Sequence, residues 1–90
     1  MYKVNTSEQV NAFLARLAPT PRLRLSEAIG KLRTEGGDIR ALESDLCGFY
    51  RLKSGRYRVI FCYSEPSTID CVFAEERKLV YEIFSALLRE

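Results

Sequence analysis

A cluster of cationic side chains near the middle of the sequence is the feature best suited to chemistry. Arg51, Lys53, Arg56 and Arg58 lie within one short stretch, and no acidic residue separates them. Without these four residues, the acidic side chains of the chain outnumber the basic ones. Arginine binds phosphate oxygens through two parallel hydrogen bonds, and lysine binds them as a point charge. The cluster therefore predicts a site for a polyanion such as a nucleic acid.

The residues around this cluster predict a β-hairpin with its turn at residues 54–55. Strand-forming residues flank the turn, and its glycine tolerates the positive φ of a tight turn. This register predicts two cross-strand cationic pairs: Lys53 with Arg56, and Arg51 with Arg58. Like charges opposite each other cost roughly 0.2–1 kcal/mol per pair, so a bound polyanion would relieve the repulsion. The alternative is a solvated outer face whose charges prevent aggregation at a sheet edge.

The segments before the hairpin predict a strand over residues 2–4 and two helices. Apolar residues recur at helical spacing from Ser7 to Leu17 and again up to Leu32. We expect an N-cap near Ser7 for the first helix, Thr20 as the N-cap of the second, and Gly36 with Gly37 at its end. The two helices form a helical hairpin. Residues 38–46 show little periodicity and are expected to run back to the sheet without regular structure.

The segments after the hairpin predict a third strand and a final helix. Residues 68–74 read as a strand with Ile69, Cys71 and Phe73 on one face. Four-residue spacing of apolar residues from Leu79 to Leu88 predicts a C-terminal helix, with a strand over 79–84 as the alternative. The order is β-α-α-β-β-β-α, an α+β fold in which the helical hairpin packs on a small, mostly antiparallel, twisted sheet. With the helices on one side, the cationic face is expected to be an open trough.

Length and composition limit the class of protein. Ninety residues predict a single domain, residues 1–90. No apolar run reaches the length of a membrane span, and the N-terminus lacks the apolar region of a signal peptide, so we expect a cytoplasmic protein with no membrane partner. The three cysteines lack C-x-x-C spacing and the chain has no histidine, so we expect no metal site and no cofactor. The cysteines are expected to be reduced core or strand residues.

Two runs of the sequence, residues 46–61 and 72–81, resemble the toxins of the RelE/ParE superfamily of type II toxin-antitoxin systems. The most recognisable parts are Gly-x-Tyr-Arg-Val at residues 55–59 and Arg-x-x-x-Tyr at residues 77–81. The resemblance covers nearly the whole chain and implies a small toxin that a cognate antitoxin protein holds inactive. An acidic, amphipathic segment that folds on binding could wrap the helical hairpin and occupy the cationic trough. The resemblance also allows a higher-order toxin-antitoxin complex.

The resemblance implies one of three functions. RelE-like members are ribosome-dependent endonucleases, mRNA interferases that bind the ribosome and mRNA and inhibit translation. ParE-like members share the fold but inhibit DNA gyrase. The third alternative is a non-catalytic binding module of the same fold. Because the cationic cluster contains a lysine beside two arginines, we favour the RelE-like, metal-independent endoribonuclease.

The resemblance also assigns roles to residues. It implies five catalytic residues: Arg51, Lys53, Arg58, Arg77 and Tyr81. Cleavage of RNA by the 2′-hydroxyl requires a proton acceptor, cations at the phosphate and a proton donor. We assign the stabilisation of charge to Arg58 and Arg77, and the acid to Tyr81. Lys53 is the candidate base, because neighbouring cations disfavour its ammonium form.

A wider set of cations is expected to contact nucleic acid: Arg51, Lys53, Arg56, Arg58 and Lys78. Two acidic residues, Glu75 and Glu76, directly precede Arg77. Their charges weaken a field that would attract RNA. Either carboxylate could orient Arg77 by pairing with it, or could itself serve as the base.

Overall fold

The fold is a five-stranded mixed sheet with helices on both faces, seen in a computed structural model that describes residues 1–89 apart from the side chains of Arg77 and Lys78. The strands are β1 (Lys3–Thr6), β2 (Asp38–Ala41), β3 (Tyr50–Ser54), β4 (Tyr57–Ser64) and β5 (Thr68–Glu76), and the helices are α1 (Glu8–Arg16), α2 (Pro19–Gly30) and α3 (Arg77–Leu88). Short 3-10 helices cover Lys31–Thr34 and Ser44–Leu46. Within residues 1–89, none of the helices has the length and apolar character of a membrane span.

The order of the strands in the sheet is β1-β5-β4-β3-β2. Strand β1 is parallel to β5, and every other pair is antiparallel. The predicted α+β class, the helical hairpin and the β3-β4-β5 meander are confirmed. The C-terminal segment is a helix, so the alternative strand over residues 79–84 is wrong.

Strand β2 lies in the segment that was expected to be irregular. It pairs with β3, placing Ile39 opposite Leu52 and Arg40 opposite Arg51. The strand is only four residues long and forms the edge of the sheet. A stretch this short contains too few alternations to give a strand pattern, so its pairing with β3 decides its structure.

The ends of the helices follow from capping groups and prolines. Ser7 caps α1, because its Oγ accepts a hydrogen bond from the Val10 N–H at 3.2 Å. The same hydroxyl donates to the Val72 carbonyl at 3.0 Å and so ties α1 to β5. Helix α2 begins at Pro19 with Ala18 as N-cap, so the expected N-cap at Thr20 is wrong. Proline suits the first helical position because it lacks an N–H, and an N–H there would have no partner within the helix.

The larger core lies between the helical hairpin and one face of the sheet. Its buried members come from α1, α2, the following 3-10 helix and three strands: Val10, Phe13, Leu25, Ile29, Leu32, Leu52, Val59, Phe61, Ile69, Cys71 and Ala74. Three tyrosines of β3 and β4, Tyr50, Tyr57 and Tyr63, pack against it as expected from their strand parity.

A smaller core lies on the opposite face, beneath α3. It consists of Leu46, Ile60, Phe73, Val80 and Phe84. The expectation that all helices lie on one side of the sheet is therefore wrong. The reason is that the cationic face also carries apolar residues, and α3 removes these from water. The cationic side chains lie on the part of this face that α3 does not cover.

A bulge in β5 changes the face on which its last residues lie. Phe61 pairs with Cys71 and Ile60 pairs with Phe73, so Val72 is an extra residue between them. One additional residue reverses the alternation of the strand. Phe73 therefore belongs to the smaller core rather than to the face of Ile69, where the sequence pattern placed it.

The cysteines are all free, and they differ in exposure. Cys71 is buried, Cys62 is partly buried and Cys47 is exposed in the turn before β3. Burial raises the pKa of the Cys71 thiol to about 12. Burial and the nearby Asp70 carboxylate raise the pKa of Cys62. The expectation of core or strand cysteines holds for Cys62 and Cys71, but not for Cys47.

The Ser7 contacts give a test of this packing. Ser7→Ala removes the cap of α1 and the bond to β5, so we expect a loss of about 1–2 kcal/mol in the free energy of unfolding. Urea denaturation measures this loss. Ser26→Ala, at an exposed position of α2, is the matched control and should cause no loss. Equal stability of the two variants would contradict the capping role.

Candidate functional site: a cationic groove

The β3-β4 hairpin positions the cationic cluster, and its turn is one residue later than expected. Lys53 pairs with Arg58 and Ser54 pairs with Tyr57, so the turn consists of Gly55 and Arg56. Gly55, at the first position of the turn, has a φ of 60°. Glycine adopts a positive φ more readily than other residues because it has no Cβ. The pairing differs by two residues from the expected one. Because side chains alternate with period two, the faces of the strands are unchanged.

The groove beside α3 brings most of the predicted catalytic residues together. We call it the cationic groove. Its volume is about 650 Å³, and its lining residues are Arg40, Leu42, Arg51, Lys53, Arg58, Tyr81 and Glu82. Arg51, Lys53 and Arg58 thus share one site, as predicted, and Tyr81 joins them from the first turns of α3. The lining of the groove includes four cationic side chains and one carboxylate, so its charge favours an anion.

Arg51 forms the floor of the cationic groove. Its relative exposure is only 8%. One guanidinium nitrogen, Nη1, lies 3.3 Å from the Asp38 carboxylate and donates to the Asp38 carbonyl at 3.3 Å. A buried charge requires such partners because it has lost its hydration. Asp38 therefore holds Arg51 in place.

Arg58 is held by the backbone of its own hairpin. Its Nη1 donates to the Gly55 carbonyl at 2.8 Å and to the Tyr57 carbonyl at 3.0 Å. These bonds fix the guanidinium beside the turn while other N–H groups stay available, because arginine has five donors. Its position is therefore set before any ligand binds.

Four charged residues, one on each of four adjacent strands, form a row across the sheet that includes Lys53 and Arg58. In register across β2, β3, β4 and β5 lie Asp38, Lys53, Arg58 and Glu75. The two cations occupy the centre and a carboxylate flanks each side. Opposite charges across strands stabilise the row, whereas the central pair repels. The repulsion is thus concentrated at the centre of the row, between Lys53 and Arg58.

Arg40 is a groove residue that sequence reasoning missed. It lies on β2 directly opposite Arg51, and its side chain is exposed. The signal that could have found it was the position of Arg40 between the apolar residues Ile39 and Leu42. That signal had meaning only once β2 was recognised as a strand. Glu82 was missed as well, because its place depends on how α3 packs.

Arg56 does not line the cationic groove. It occupies the turn and pairs with Glu76 at 3.1 Å, where both side chains are exposed. Its guanidinium carbon lies 6.0 Å from the centre of the Tyr57 ring. The expectation that Arg56 shares a face with Arg58 is wrong, because the shifted turn takes Arg56 out of the strand.

The side chains of Arg77 and Lys78 lie outside the part of the chain that the structure describes. Arg77 is the first residue of α3 and directly follows β5. The expected pairing of Glu75 or Glu76 with Arg77 is therefore untested. Among the described contacts, Glu76 pairs with Arg56, and the Glu75 carboxylate accepts a hydrogen bond from the Glu76 N–H at 3.1 Å.

The ion pair beneath the groove gives a test of its construction. Asp38→Asn removes the charge that faces the buried Arg51, so we expect a loss of about 1–2 kcal/mol in the free energy of unfolding. This is less than for a fully buried pair because Asp38 is about half exposed. Chemical denaturation measures it, and Glu43→Gln, an exposed residue of the following loop, is the control. If both variants match the parent, Asp38 does not anchor Arg51.

Solved structures of toxins share this fold. The RelBE2 toxin-antitoxin complex of Mycobacterium tuberculosis contains a chain with a TM-score of 0.72 and 23% identity, over 84% of this chain and 98% of that one. The RelB-RelE complex of Methanococcus jannaschii gives 0.68 and 19%, over 89% and 98%. The YoeB/ParE toxin of Agrobacterium tumefaciens gives 0.67 and 12%, over 83% and 98%.

Comparison by sequence alone finds no relative of this chain. No protein-family model matches the chain, and no curated protein matches its sequence. The structural neighbours are toxins of the RelE, YoeB, YafQ and ParE types. At the level of the fold, the resemblance seen in the sequence is confirmed: the chain has the fold of the RelE/ParE toxins.

Proposed function

We propose that this protein is the toxin of a type II toxin-antitoxin system and that it cleaves mRNA on the ribosome, in the cytoplasm. The observation that carries the proposal is the cationic groove, where Arg51, Lys53, Arg58 and Tyr81 line one cavity. These are four of the five residues to which the resemblance assigned catalysis. The fold that this protein shares with RelE, YoeB and YafQ toxins supports the same proposal.

The groove suits the binding of an RNA phosphate. Arg51 supplies a buried positive charge at the floor, and Arg40, Lys53 and Arg58 supply charges along the walls. Attack of a 2′-hydroxyl on phosphorus increases the negative charge on the phosphate oxygens. A cation fixed before the reaction stabilises that charge without the cost of reorganisation. Arg58 is partly buried, and two backbone carbonyls hold its guanidinium in place at the groove.

The proton transfers are assigned to Lys53 and Tyr81. Lys53 would accept the proton of the 2′-hydroxyl, since its exposed side chain lines the groove beside its cross-strand partner Arg58. Tyr81, partly exposed at the edge of the groove, would donate a proton to the leaving 5′-oxygen. In the same proposal, Arg77 would share the stabilisation of the phosphate with Arg58.

This set of acid and base groups is weak compared with a pair of histidines or carboxylates. A catalyst of this kind gains most of its rate from the alignment of the substrate. We therefore assign the alignment of the mRNA to the ribosome. The groove is open to solvent and can receive a strand that the ribosome presents.

The central test of the proposal is Arg58→Ala. Loss of a fixed cation at the reacting phosphate should lower the rate of mRNA cleavage on translating ribosomes at least about 100-fold. Primer extension on a defined message measures the rate. Lys31→Ala removes an exposed cation outside the groove and should leave cleavage unchanged. Thermal unfolding of each variant shows that the fold survives. Full activity of Arg58→Ala in a folded protein would refute the assignment.

Gyrase inhibition is the competing function, because the YoeB/ParE toxin of Agrobacterium tumefaciens has the same fold. In that case the cationic groove would contact a protein instead of RNA. A supercoiling assay with purified gyrase distinguishes the two. Inhibition of supercoiling together with intact mRNA would replace the RNase proposal.

The partner that we propose is a short acidic antitoxin, encoded next to this protein. Helix α3 leaves four apolar side chains exposed, Leu79, Ile83, Leu87 and Leu88, on the helix that also borders the cationic groove. An amphipathic acidic segment would cover these side chains and neutralise the adjacent cations. Several structural neighbours are themselves complexes of a toxin with its antitoxin.

The exposed face of α3 gives a test of this partnership. Leu87→Asp places a charge on the apolar surface and should weaken the complex with the neighbouring acidic protein at least about tenfold, measured by calorimetry. Cleavage of mRNA by the free variant should remain, because Leu87 does not line the groove. Ser26→Asp on α2 makes a similar change on the other side of the sheet. Equal affinity of both variants would place the antitoxin elsewhere.

A further inference from the structure

A second cavity lies on the other side of the hairpin turn from the cationic groove. It lies between the first turns of α2 and the tip of the β3-β4 hairpin, with a volume of about 340 Å³. We call it the turn pocket, and its lining residues are Thr20, Pro21, Arg24, Leu25, Ser54, Gly55, Arg56 and Tyr57. None of these residues lines the cationic groove.

The charges of the turn pocket favour an anion. Arg24 from α2 and Arg56 from the turn both line it, and both side chains are exposed. Among the described residues Arg24 takes part in no ion pair, and Arg56 pairs with the exposed Glu76. An exposed pair of this kind is worth about 1 kcal/mol or less, so a phosphate can compete for Arg56. The N-terminus of α2 adds a partial positive charge.

The shape and the uncharged groups of the turn pocket favour a nucleotide over a free inorganic anion. Pro21 and Tyr57 supply partly exposed apolar surface, and the hydroxyls of Thr20 and Ser54 supply hydrogen-bonding groups. Apolar surface with a few polar groups is typical of a small-molecule pocket of this size. A base would lie against the apolar side chains while the arginines bind its phosphate.

The alternation of the strands joins this pocket to the groove. Lys53 and Arg58 point into the groove, and their neighbours Ser54 and Tyr57 point into the turn pocket. The two cavities are therefore opposite faces of one hairpin tip. The same tip holds Arg58, whose Nη1 is bonded to the Gly55 carbonyl. A polynucleotide that occupies the groove can continue around the tip and into the pocket.

We propose that the turn pocket is a second RNA-binding subsite, in which Arg24 and Arg56 bind a phosphodiester of the RNA whose neighbouring segment occupies the cationic groove. This inference rests on the proposed function, because it takes the groove as the site of RNA binding. The phosphodiester can belong to the message or to ribosomal RNA, since both present the same chemistry to the pocket.

The test is the salt dependence of RNA binding by the double variant R24A/R56A. Fluorescence anisotropy with a labelled single-stranded RNA oligonucleotide, and sedimentation with ribosomes that carry no mRNA, measure the two sources separately. Loss of two phosphate contacts should weaken binding about tenfold in at least one arm and reduce the slope of log K against log salt by about 1.4. The arm that changes identifies the source of the phosphodiester.

Lys31→Ala is the control for a general loss of charge, since Lys31 is an exposed cation outside both cavities. It should leave the affinity unchanged. The inference is overturned if the double variant binds both forms of RNA like the parent, if Lys31→Ala weakens binding as much per charge, or if the parent protein binds neither form.

The experiments distinguish a failure of the turn-pocket proposal from a failure of the RNase proposal. If the parent protein binds RNA through Arg24 and Arg56 but cleaves no mRNA on ribosomes, the turn pocket stands and the RNase proposal falls. If the parent cleaves mRNA and the double variant cleaves and binds as well as the parent, only the pocket falls. Both side chains are exposed, so the double variant is expected to fold normally.

Discussion

The pairing of β3 with β4 is the constraint on which the rest of the structure depends. Leu52 pairs with Val59 on one face, and Lys53 pairs with Arg58 on the other. The apolar pair is fully buried beneath the helical hairpin. Burial of each such side chain contributes about 1.5–3 kcal/mol, whereas repulsion between paired cations costs roughly 0.2–1 kcal/mol. Burial of the apolar face therefore determines the register, and the register in turn determines the positions of the cationic side chains.

The second face of the sheet is divided between a core and a charged surface. Helix α3 covers Ile60 and Phe73, and it ends the exposed area at Tyr81 and Glu82. The bulge at Val72 makes this division possible, because it turns Phe73 toward α3 while Ala74 returns to the larger core. The groove is thus the part of this face of the sheet that α3 does not cover. Its floor, Arg51, belongs as much to the buried structure as to the site.

The charges of the site are balanced by few carboxylates. Asp38 neutralises Arg51, and Glu76 neutralises Arg56, but Lys53 and Arg58 face each other with carboxylates only at the ends of their row. A bound phosphate would complete this arrangement. The solved toxins that share the fold show that a small sheet with a helical hairpin recurs among toxins of toxin-antitoxin systems. Fold alone does not select a target, and the side chains of the groove are the basis of the functional proposal.

The sequence by itself determined the α+β class, the helical hairpin, the meander and the face on which Arg51, Lys53 and Arg58 lie. These features follow from local periodicity, and strand parity survives an error of two residues in the register. Only the tertiary structure decided the place of Arg40, the departure of Arg56 from the groove and the covering of the cationic face by α3. Each depends on contacts between elements. Strand β2 is a strand because it pairs with β3, and the turn position follows from the register of β3 with β4. The bulge at Val72 reverses a pattern that is continuous in the sequence. Local patterns carry no information about such contacts, because packing between elements overrides local preference.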